Sequence, residues 1–224
     1  IPKLKKFSEN NKIDFLVSPF DLESVKELEK NNIFAYKIAS SELTNLKMIN
    51  YIASLKKPIF ISTGMSDLKD VHTAISICKK NKNEKLILMQ CGSMYPLPEK
   101  YANLNVLNTF KKFKFPTGFS DHTNNSFSAL IASGAGAIVF EKHFTLNKKM
   151  KGPDHFFAIE PKQFKKYVSN IHRAFLNLGS FKKEMLPDEK KYCRREGLYY
   201  RKNFKKEKKT NQRNLKKKRP AIGV

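Results

Sequence analysis

The sequence contains no tryptophan, only three cysteines, and fewer than half as many acidic as basic residues. The cysteines are too few and too scattered for a disulfide framework, and their spacing to histidine does not suggest a zinc site: Cys78, Cys91 and Cys193. We therefore expect a reducing, cytoplasmic setting. The sequence also lacks a run of about 20 apolar residues, which argues against a membrane-spanning helix.

Acidic residues are scarce enough to leave a formal net charge of +24, with 44 Lys and Arg against 20 Asp and Glu. A surplus of this size is typical of proteins that bind nucleic acid or acidic membranes. The lysines, however, are dispersed over predicted helices and lack the interleaved aromatic residues of a single-strand binding surface. We interpret the charge as a solvated surface and expect no specific nucleic acid and no membrane partner.

What the sequence does contain is one repeated unit between residues 13 and 161, about every 22 to 28 residues. In each unit a short apolar run is followed by a polar or small cluster and then by a helical segment. Six runs are predicted strands: Asp14–Ser18, Ala35–Ala39, Pro58–Ser62, Lys85–Cys91, Phe115–Phe119 and Ala137–Phe140. Predicted helices include Leu22–Asn31, Asn45–Leu55, Leu68–Lys80, Phe127–Ser133 and Gln163–Leu178. The alternation predicts an α/β fold with a parallel sheet and a functional site at the carboxyl ends of its strands.

The last two predicted strands each end in a cluster that contains a histidine, Ser-Asp-His in one case and Glu-Lys-His in the other. Because neighbouring parallel strands open onto the same face, His122 and His143 should lie side by side despite their separation in sequence. Two imidazoles at one mouth suit a divalent transition metal. A pair of purely structural histidines is the alternative interpretation.

Other strand ends carry groups that suit an anion. Lys37 stands at a predicted strand end, where a lysine is costly unless it meets a negative charge. Serines stand at the ends of four different predicted strands: Ser18, Ser40, Ser62 and Ser120. Each serine taken alone resembles a helix N-cap. Together with Lys37 they favour an anion site built from hydroxyl groups and helix N-termini.

Several of these segments occur together in one known family. The sequences GFSDHT, EKHFTL and GPDHFFAIEP, with SPFD, YKIASSEL, ISTGMS and CGSMYPLP before them and KRPAIG after them, resemble the sialic acid synthase family. The resemblance implies condensation of phosphoenolpyruvate with N-acetylmannosamine or a related sugar. It also implies a (β/α)8 TIM-type barrel, of which residues 1–179 would hold strands three to eight. Residues 180–193 would form a linker, and residues 194–224 the beginning of an antifreeze-like domain.

The resemblance assigns roles to individual residues. His122 and His143 match manganese ligands, for which Mg2+ or Co2+ could substitute, and with Lys37 they would be catalytic. The positions that match phosphoenolpyruvate-binding residues are Ser18, Lys37, Ser40, Ser62, Ser93 and Ser120. Ser93 stands where the sialic acid enzymes have asparagine, which shortens one contact. Asp121 and Glu141, which flank the histidines, could orient imidazoles or waters or form ordinary salt bridges.

Three further residues match positions that contact the acceptor sugar: Tyr95, Asp154 and Arg219. Tyr95 could instead be a loop anchor held by Pro96 and Pro98. The match of Arg219 implies a domain-swapped homodimer in which this arginine reaches the partner's barrel, although an arginine in a run of lysines is usually just solvated. The acceptor stays open between N-acetylmannosamine and a diacetylated 6-deoxyhexose, which lead to sialic, legionaminic or pseudaminic acid.

The family's first two strands contribute a glutamate, a second lysine, a glutamine and an asparagine, and these have no counterpart in this sequence. Loss of even one transition-state contact typically costs about a hundredfold or more in rate. We therefore expect the chain alone to be weak or inactive as an enzyme. A catalytically dead fragment or paralogue that serves as a binding or assembly module is the alternative interpretation.

Overall fold

The computed structural model describes residues 1–191, 195–201 and 211–219. It divides into two compact units, Ile1–Gly179 and Ser180–Val224. The first unit contains a parallel sheet flanked by helices, and the second contains a short helix and a β-hairpin.

The first unit is built on a five-stranded parallel sheet in the order β1-β2-β3-β4-β5. Its strands are β1 (Tyr36–Ile38), β2 (Ile59–Ser62), β3 (Leu86–Cys91), β4 (Thr117–Asp121) and β5 (Ala137–Lys142). Strand order therefore follows chain order, with a helix in each connection, which confirms the predicted parallel α/β arrangement. The first predicted strand, Asp14–Ser18, is reduced to one parallel bridge between Val17 and Tyr36.

The bounds of β1, β2 and β3 differ from the prediction by one residue at an end, and those of β4 and β5 by two. β4 begins at Thr117 rather than at Phe115, because Pro116 has no N–H to give to the ladder and only its carbonyl pairs, with the N–H of Leu88. β5 continues two residues beyond Phe140, to Lys142. Both strands therefore end immediately before a histidine.

Seven helices belong to the first unit: α1 (Pro2–Asn10), α2 (Leu22–Lys30), α3 (Leu46–Ser54), α4 (Leu68–Lys80), α5 (Val106–Lys111), α6 (Phe127–Gly134) and α7 (Pro161–Leu178). Local side chains fix several helix starts. Asp21 accepts a hydrogen bond from the Ser24 N–H at the start of α2, and capping boxes begin α4 and α7. No described helix combines the length and the apolarity that crossing a membrane requires.

The apolar core lies on the helix side of the sheet. Its largest cluster joins α2, α3 and α4 to β1, β2 and β3, and includes the fully buried Ile38, Ile52 and Ile61. A second cluster surrounds Phe119 of β4, and a third packs α7 against α6 and β5. Since this packing fixes the strands, their carboxyl ends form a supported platform for the site.

The second unit consists of the helix α8 (Pro187–Lys191) and the antiparallel strands β6 (Gly197–Tyr200) and β7 (Leu215–Lys218). α8 lies inside the predicted linker. Residues 192–194, 202–210 and 220–224, and with them Cys193 and about half of the predicted antifreeze-like segment, lie outside the described residues.

Candidate active site

His122 and His143 lie side by side at the carboxyl ends of β4 and β5, as the strand-end argument predicts. Their ring centroids are 5.2 Å apart and the rings are inclined by 62°. Each histidine is the residue that directly follows its strand. Parallel pairing of β4 with β5 therefore converts a separation of twenty-one residues into a contact.

The ring of His122 is held by the segment that follows β3. Its Nδ1 lies 2.7 Å from the carbonyl oxygen of Gly92 and 3.7 Å from Sγ of Cys91. A carbonyl can only accept, so Nδ1 carries the proton and Nε2 keeps a free lone pair. Burial opposes protonation of His122, but the hydrogen bonds to Cys91 and Gly92 outweigh it and raise the pKa of this imidazole. A backbone carbonyl behind a histidine is the usual way of orienting a metal ligand.

His143 has a different surrounding. Its Nδ1 is 3.8 Å from Oδ2 of Asp154, and its ring stands edge-on to Phe157, with centroids 4.8 Å apart. Burial, reinforced by the charge on His122, lowers the pKa of His143. A neutral imidazole is the form that binds metals, so this ring and the free Nε2 of His122 fit a divalent ion. Within the described residues, no third His, Cys, Asp or Glu completes a three-ligand cluster with them.

Tyr95 packs over the histidine pair from the loop after β3. Its ring centroid is 4.4 Å from that of His122, 5.7 Å from that of His143 and 5.2 Å from that of Phe157. Tyr95 is 46% exposed, so one side of its ring faces the opening of the site. The predicted sugar-contact residues Tyr95 and Asp154 are thus both next to the histidines.

On the same face of the sheet, Lys37 is buried and its Nζ lies 3.3 Å from Oε2 of Glu141. The other carboxylate oxygen of Glu141 accepts a hydrogen bond of 3.0 Å from Ser120 Oγ. Glu141 therefore links the predicted cation to a predicted serine, rather than contacting an imidazole. These contacts join β1, β4 and β5 at ladder positions one residue before the last pair.

A small polar pocket surrounds Gly64, which follows β2. A Cβ placed on Gly64 would lie 2.1 Å from Ser93 Oγ, 2.9 Å from Ser40 Oγ and 3.2 Å from Cys91 Sγ, and we call this arrangement the Gly64 pocket. The Gly64 N–H donates to Ser40 Oγ over 3.0 Å. Burial opposes ionisation of Cys91, but hydrogen bonds to His122 and Ser40 outweigh it and lower the pKa of the thiol.

Two of the predicted serines have unsatisfied hydroxyl groups. The Oγ atoms of Ser62 and Ser93 are buried and have no hydrogen-bond partner among the residues that the structure describes. A buried hydroxyl without a partner costs about 1–3 kcal/mol, and such groups are rare in native proteins unless a ligand or water satisfies them. These orphan groups indicate a site that binds a polar ligand.

Ser18 is not brought to the other predicted site residues of the first unit. Within the described residues, no hydrogen bond or ion pair links Ser18 to the remaining site residues; it lines a separate hollow with Ile1 and Glu23. Arg219 belongs to the second unit, where its Nε is 3.9 Å from Oε1 of Glu196 and its side chain is 69% exposed.

Asp121 does not orient an imidazole, which corrects one of the sequence interpretations. Its carboxylate points to the helix side of the sheet and pairs with Lys142. Sequence reasoning also missed Gly64 and Cys91. Gly64 lies against the Ser40 and Ser93 hydroxyl groups, and Cys91 lies against His122. The alternation of side chains along β4 was the one signal that could have placed Asp121 and His122 on opposite faces.

Comparison with known proteins identifies the family of the chain. A model of the NeuB family matches residues 1–183. The chain belongs to the NeuB family. Among NeuB relatives, the N,N'-diacetyllegionaminic acid synthase of Campylobacter jejuni is 39% identical over 217 residues, which cover 95% of this chain and 65% of that protein. The pseudaminic acid synthase of Helicobacter pylori is 34% identical over 210 residues, which cover 92% of this chain and 62% of that protein.

Solved structures agree with the family assignment. The N-acetylneuraminic acid synthetase from Leptospira borgpetersenii superposes with a TM-score of 0.80 at 33% identity, over 85% of this chain and 67% of that one. A phospho-2-dehydro-3-deoxyheptonate aldolase from Thermotoga maritima, at 13% identity and a TM-score of 0.69 over 79% of this chain and 55% of that one, shares the fold alone. The chain thus spans about two thirds of the length of the relatives it matches.

Proposed function

We propose that the chain carries the phosphoenolpyruvate-binding and metal-binding part of a nonulosonic acid synthase. In this reaction C3 of phosphoenolpyruvate joins the aldehyde carbon of an N-acylated amino hexose, and inorganic phosphate leaves after water attacks C2. The observation that carries the proposal is the convergence of two imidazoles, a buried lysine and orphan serine hydroxyls at neighbouring strand ends. The NeuB relatives, which are named as synthases of this acid class, support the same reaction.

His122 and His143 would hold the divalent ion, Mn2+ by family resemblance, His122 through the Nε2 that its hydrogen bond to Gly92 leaves free and His143 through a ring nitrogen. When bound, this ion polarises the aldehyde oxygen of the acceptor and stabilises the negative charge that develops there. The Gly92 carbonyl keeps the His122 ring in one tautomer, and Phe157 limits rotation of the His143 ring. The protein's part is therefore to present two oriented neutral imidazoles.

Phosphoenolpyruvate would bind between Lys37 and the Gly64 pocket. Lys37 supplies a positive charge that is buried and therefore weakly screened. The orphan hydroxyls of Ser62 and Ser93 supply donors that only a ligand or water can use, and Ser40 adds a third hydroxyl. Binding of the anion thus satisfies groups whose burial is otherwise unfavourable.

The acceptor sugar would lie over the histidine pair, where Tyr95 and Asp154 border the opening. A carboxylate can accept hydrogen bonds from two sugar hydroxyls and so fix the orientation of the ring. We infer that Arg219 of a partner subunit binds the acyl oxygen, because its guanidinium is exposed and, among the described residues, its one ion pair is the long contact with Glu196. The acceptor stays open between N-acetylmannosamine and a diacetylated 6-deoxyhexose, and a panel of sugars distinguishes them.

The test is release of inorganic phosphate from phosphoenolpyruvate by the gene product that contains this chain, with Mn2+ and a panel of acylamino hexoses. We expect release with one sugar, and at least a hundredfold loss in His122→Ala and His143→Ala. A folded protein that binds Mn2+ and phosphoenolpyruvate but releases no phosphate with any sugar would instead favour the binding module. Failure to bind either ligand would contradict both.

A further inference from the structure

A buried ion pair joins the ends of β4 and β5 on the face of the sheet opposite to the histidines. Asp121 and Lys142 are cross-strand partners in the ladder, and Lys142 Nζ lies 3.2 Å from Asp121 Oδ2. Their side chains are 0% and 3% exposed, respectively. Each is followed directly by one of the two histidines, so side-chain alternation sends the imidazoles to the other face.

The ion pair is part of a fully connected network. Asp121 Oδ1 accepts hydrogen bonds from the Thr123 N–H at 2.8 Å and the Thr123 hydroxyl at 2.7 Å, while Oδ2 accepts one of 3.0 Å from the Tyr167 hydroxyl. Lys142 also donates to the Thr123 carbonyl, and its Nζ lies 5.6 Å from the centroid of the Tyr167 ring. Buried charges are tolerated only with such complete pairing, which also fixes their geometry.

The histidines themselves lie beyond the last rung of the ladder. Pairing of β4 with β5 ends at Asp121 and Lys142. The backbone carbonyl of His122 accepts a hydrogen bond from the N–H of Leu97, and that of His143 accepts one from the N–H of Ile159. Each histidine backbone is therefore bonded to a different loop. The last rung and its ion pair are therefore what sets the two histidine backbones relative to each other.

We propose that Asp121, Lys142 and Tyr167 are positioning residues that set the spacing of the His122–His143 pair for metal binding. The ion pair holds the two strand ends together, and Tyr167 fixes both to α7, so that neither strand can slide. This inference rests on the metal role proposed above. It adds to that role three residues that themselves do not touch the metal site.

The chain offers a matched control at the opposite end of the sheet. The hydroxyl of Tyr36, the first residue of β1, donates a hydrogen bond of 2.6 Å to Oε1 of Glu29. Lys57 Nζ lies 2.5 Å from the same oxygen. The chemistry is the same, a lysine and a tyrosine on one carboxylate. The control lies at the amino ends of the strands, far from the histidines.

The experiment measures Mn2+ affinity by titration and the Co2+ absorption spectrum, with thermal unfolding recorded in parallel. The variants are Tyr167→Phe and Lys142→Met, with Tyr36→Phe and Lys57→Met as controls. We expect the first pair to weaken Mn2+ binding about ten- to hundredfold and to change the Co2+ spectrum. We expect the controls to lose stability while keeping wild-type affinity. Tyr167→Phe keeps the ion pair and so remains informative if Lys142→Met does not fold.

The outcomes separate this inference from the proposed function. Mn2+ binding by the wild type, with equal binding and an unchanged Co2+ spectrum in folded Tyr167→Phe, would overturn the positioning role alone. An equal loss of affinity in Tyr36→Phe would also overturn it, because the effect would then follow stability. No Mn2+ binding by the folded wild type would overturn the proposed metal role and this inference with it.

Discussion

Gly64 shows how a single absent side chain shapes the candidate anion site. The glycine is not among those with positive φ, so its backbone accepts alanine. The methyl group would meet the Ser93 and Ser40 hydroxyls at 2.1 and 2.9 Å and push both aside. Because a hydrogen bond to a charged group contributes about 1.5–3 kcal/mol, we expect Gly64→Ala to weaken phosphoenolpyruvate binding about ten- to hundredfold.

Calorimetric titration with phosphoenolpyruvate measures this effect. Gly134→Ala is the matched control, because a methyl group there meets nothing within 4 Å. We expect the control to bind as the wild type does and to be slightly more stable, since alanine favours a helix over glycine. Wild-type affinity in Gly64→Ala would show that the Gly64 pocket is not where the anion binds.

Cys78 gives a pH dependence that is independent of the site. Burial in α4 raises the pKa of its thiol from 9.0 to about 11. Above pH 9 the unfolded chain loses this proton while the folded chain keeps it, so stability falls as pH rises toward 11. We expect the wild type to lose up to about 3 kcal/mol more unfolding free energy than Cys78→Ala over this interval. Urea unfolding across the interval measures the difference, and parallel curves would contradict it.

At the scale of elements, the positions that the sequence could predict are those set by a strand end. Lys37, Ser40, Ser62 and Ser120 follow directly from the alternation of apolar runs and polar clusters, and all lie at the carboxyl edge. The exact bounds of β4 do not follow, because Pro116 has no N–H and moves the start to Thr117, while pairing with β5 continues to Asp121. The face that the Asp121 carboxylate takes is set by the alternation of side chains along the strand.

The site contacts that the hydrophobic pattern could not predict are those between elements far apart in the sequence. Tyr167 of α7 reaches Asp121 across forty-six residues, and Ser93 reaches the Gly64 pocket from another loop. Such contacts depend on how helices pack on the sheet, which hydrophobic periodicity does not specify. The predicted strand Asp14–Ser18 shows the same limit. The apolar run lies next to β1 as predicted, but within the described residues its pairing is a single bridge, from Val17 to Tyr36.

At the scale of the whole molecule, the residues that we propose for the site do not all belong to one unit. The histidine pair, Lys37 and the Gly64 pocket belong to Ile1–Gly179, whereas Arg219 belongs to Ser180–Val224. If Arg219 acts on the partner subunit, as we propose, then a defect in it and a defect in His122 affect the same site only when they sit on different chains. Mixing two inactive variants therefore tests the arrangement directly.

We expect Arg219→Ala and His122→Ala of the active gene product, each inactive alone, to recover activity after they are unfolded and refolded together. Half of the randomly formed dimers would be mixed, and each mixed dimer would contain one site with both native residues, which gives about a quarter of the wild-type rate. Phosphate release from phosphoenolpyruvate measures the recovery. A double variant carrying both changes on one chain, mixed with wild type, is the control for exchange. Absence of recovery despite mixed dimers would mean that Arg219 serves its own subunit's site or none.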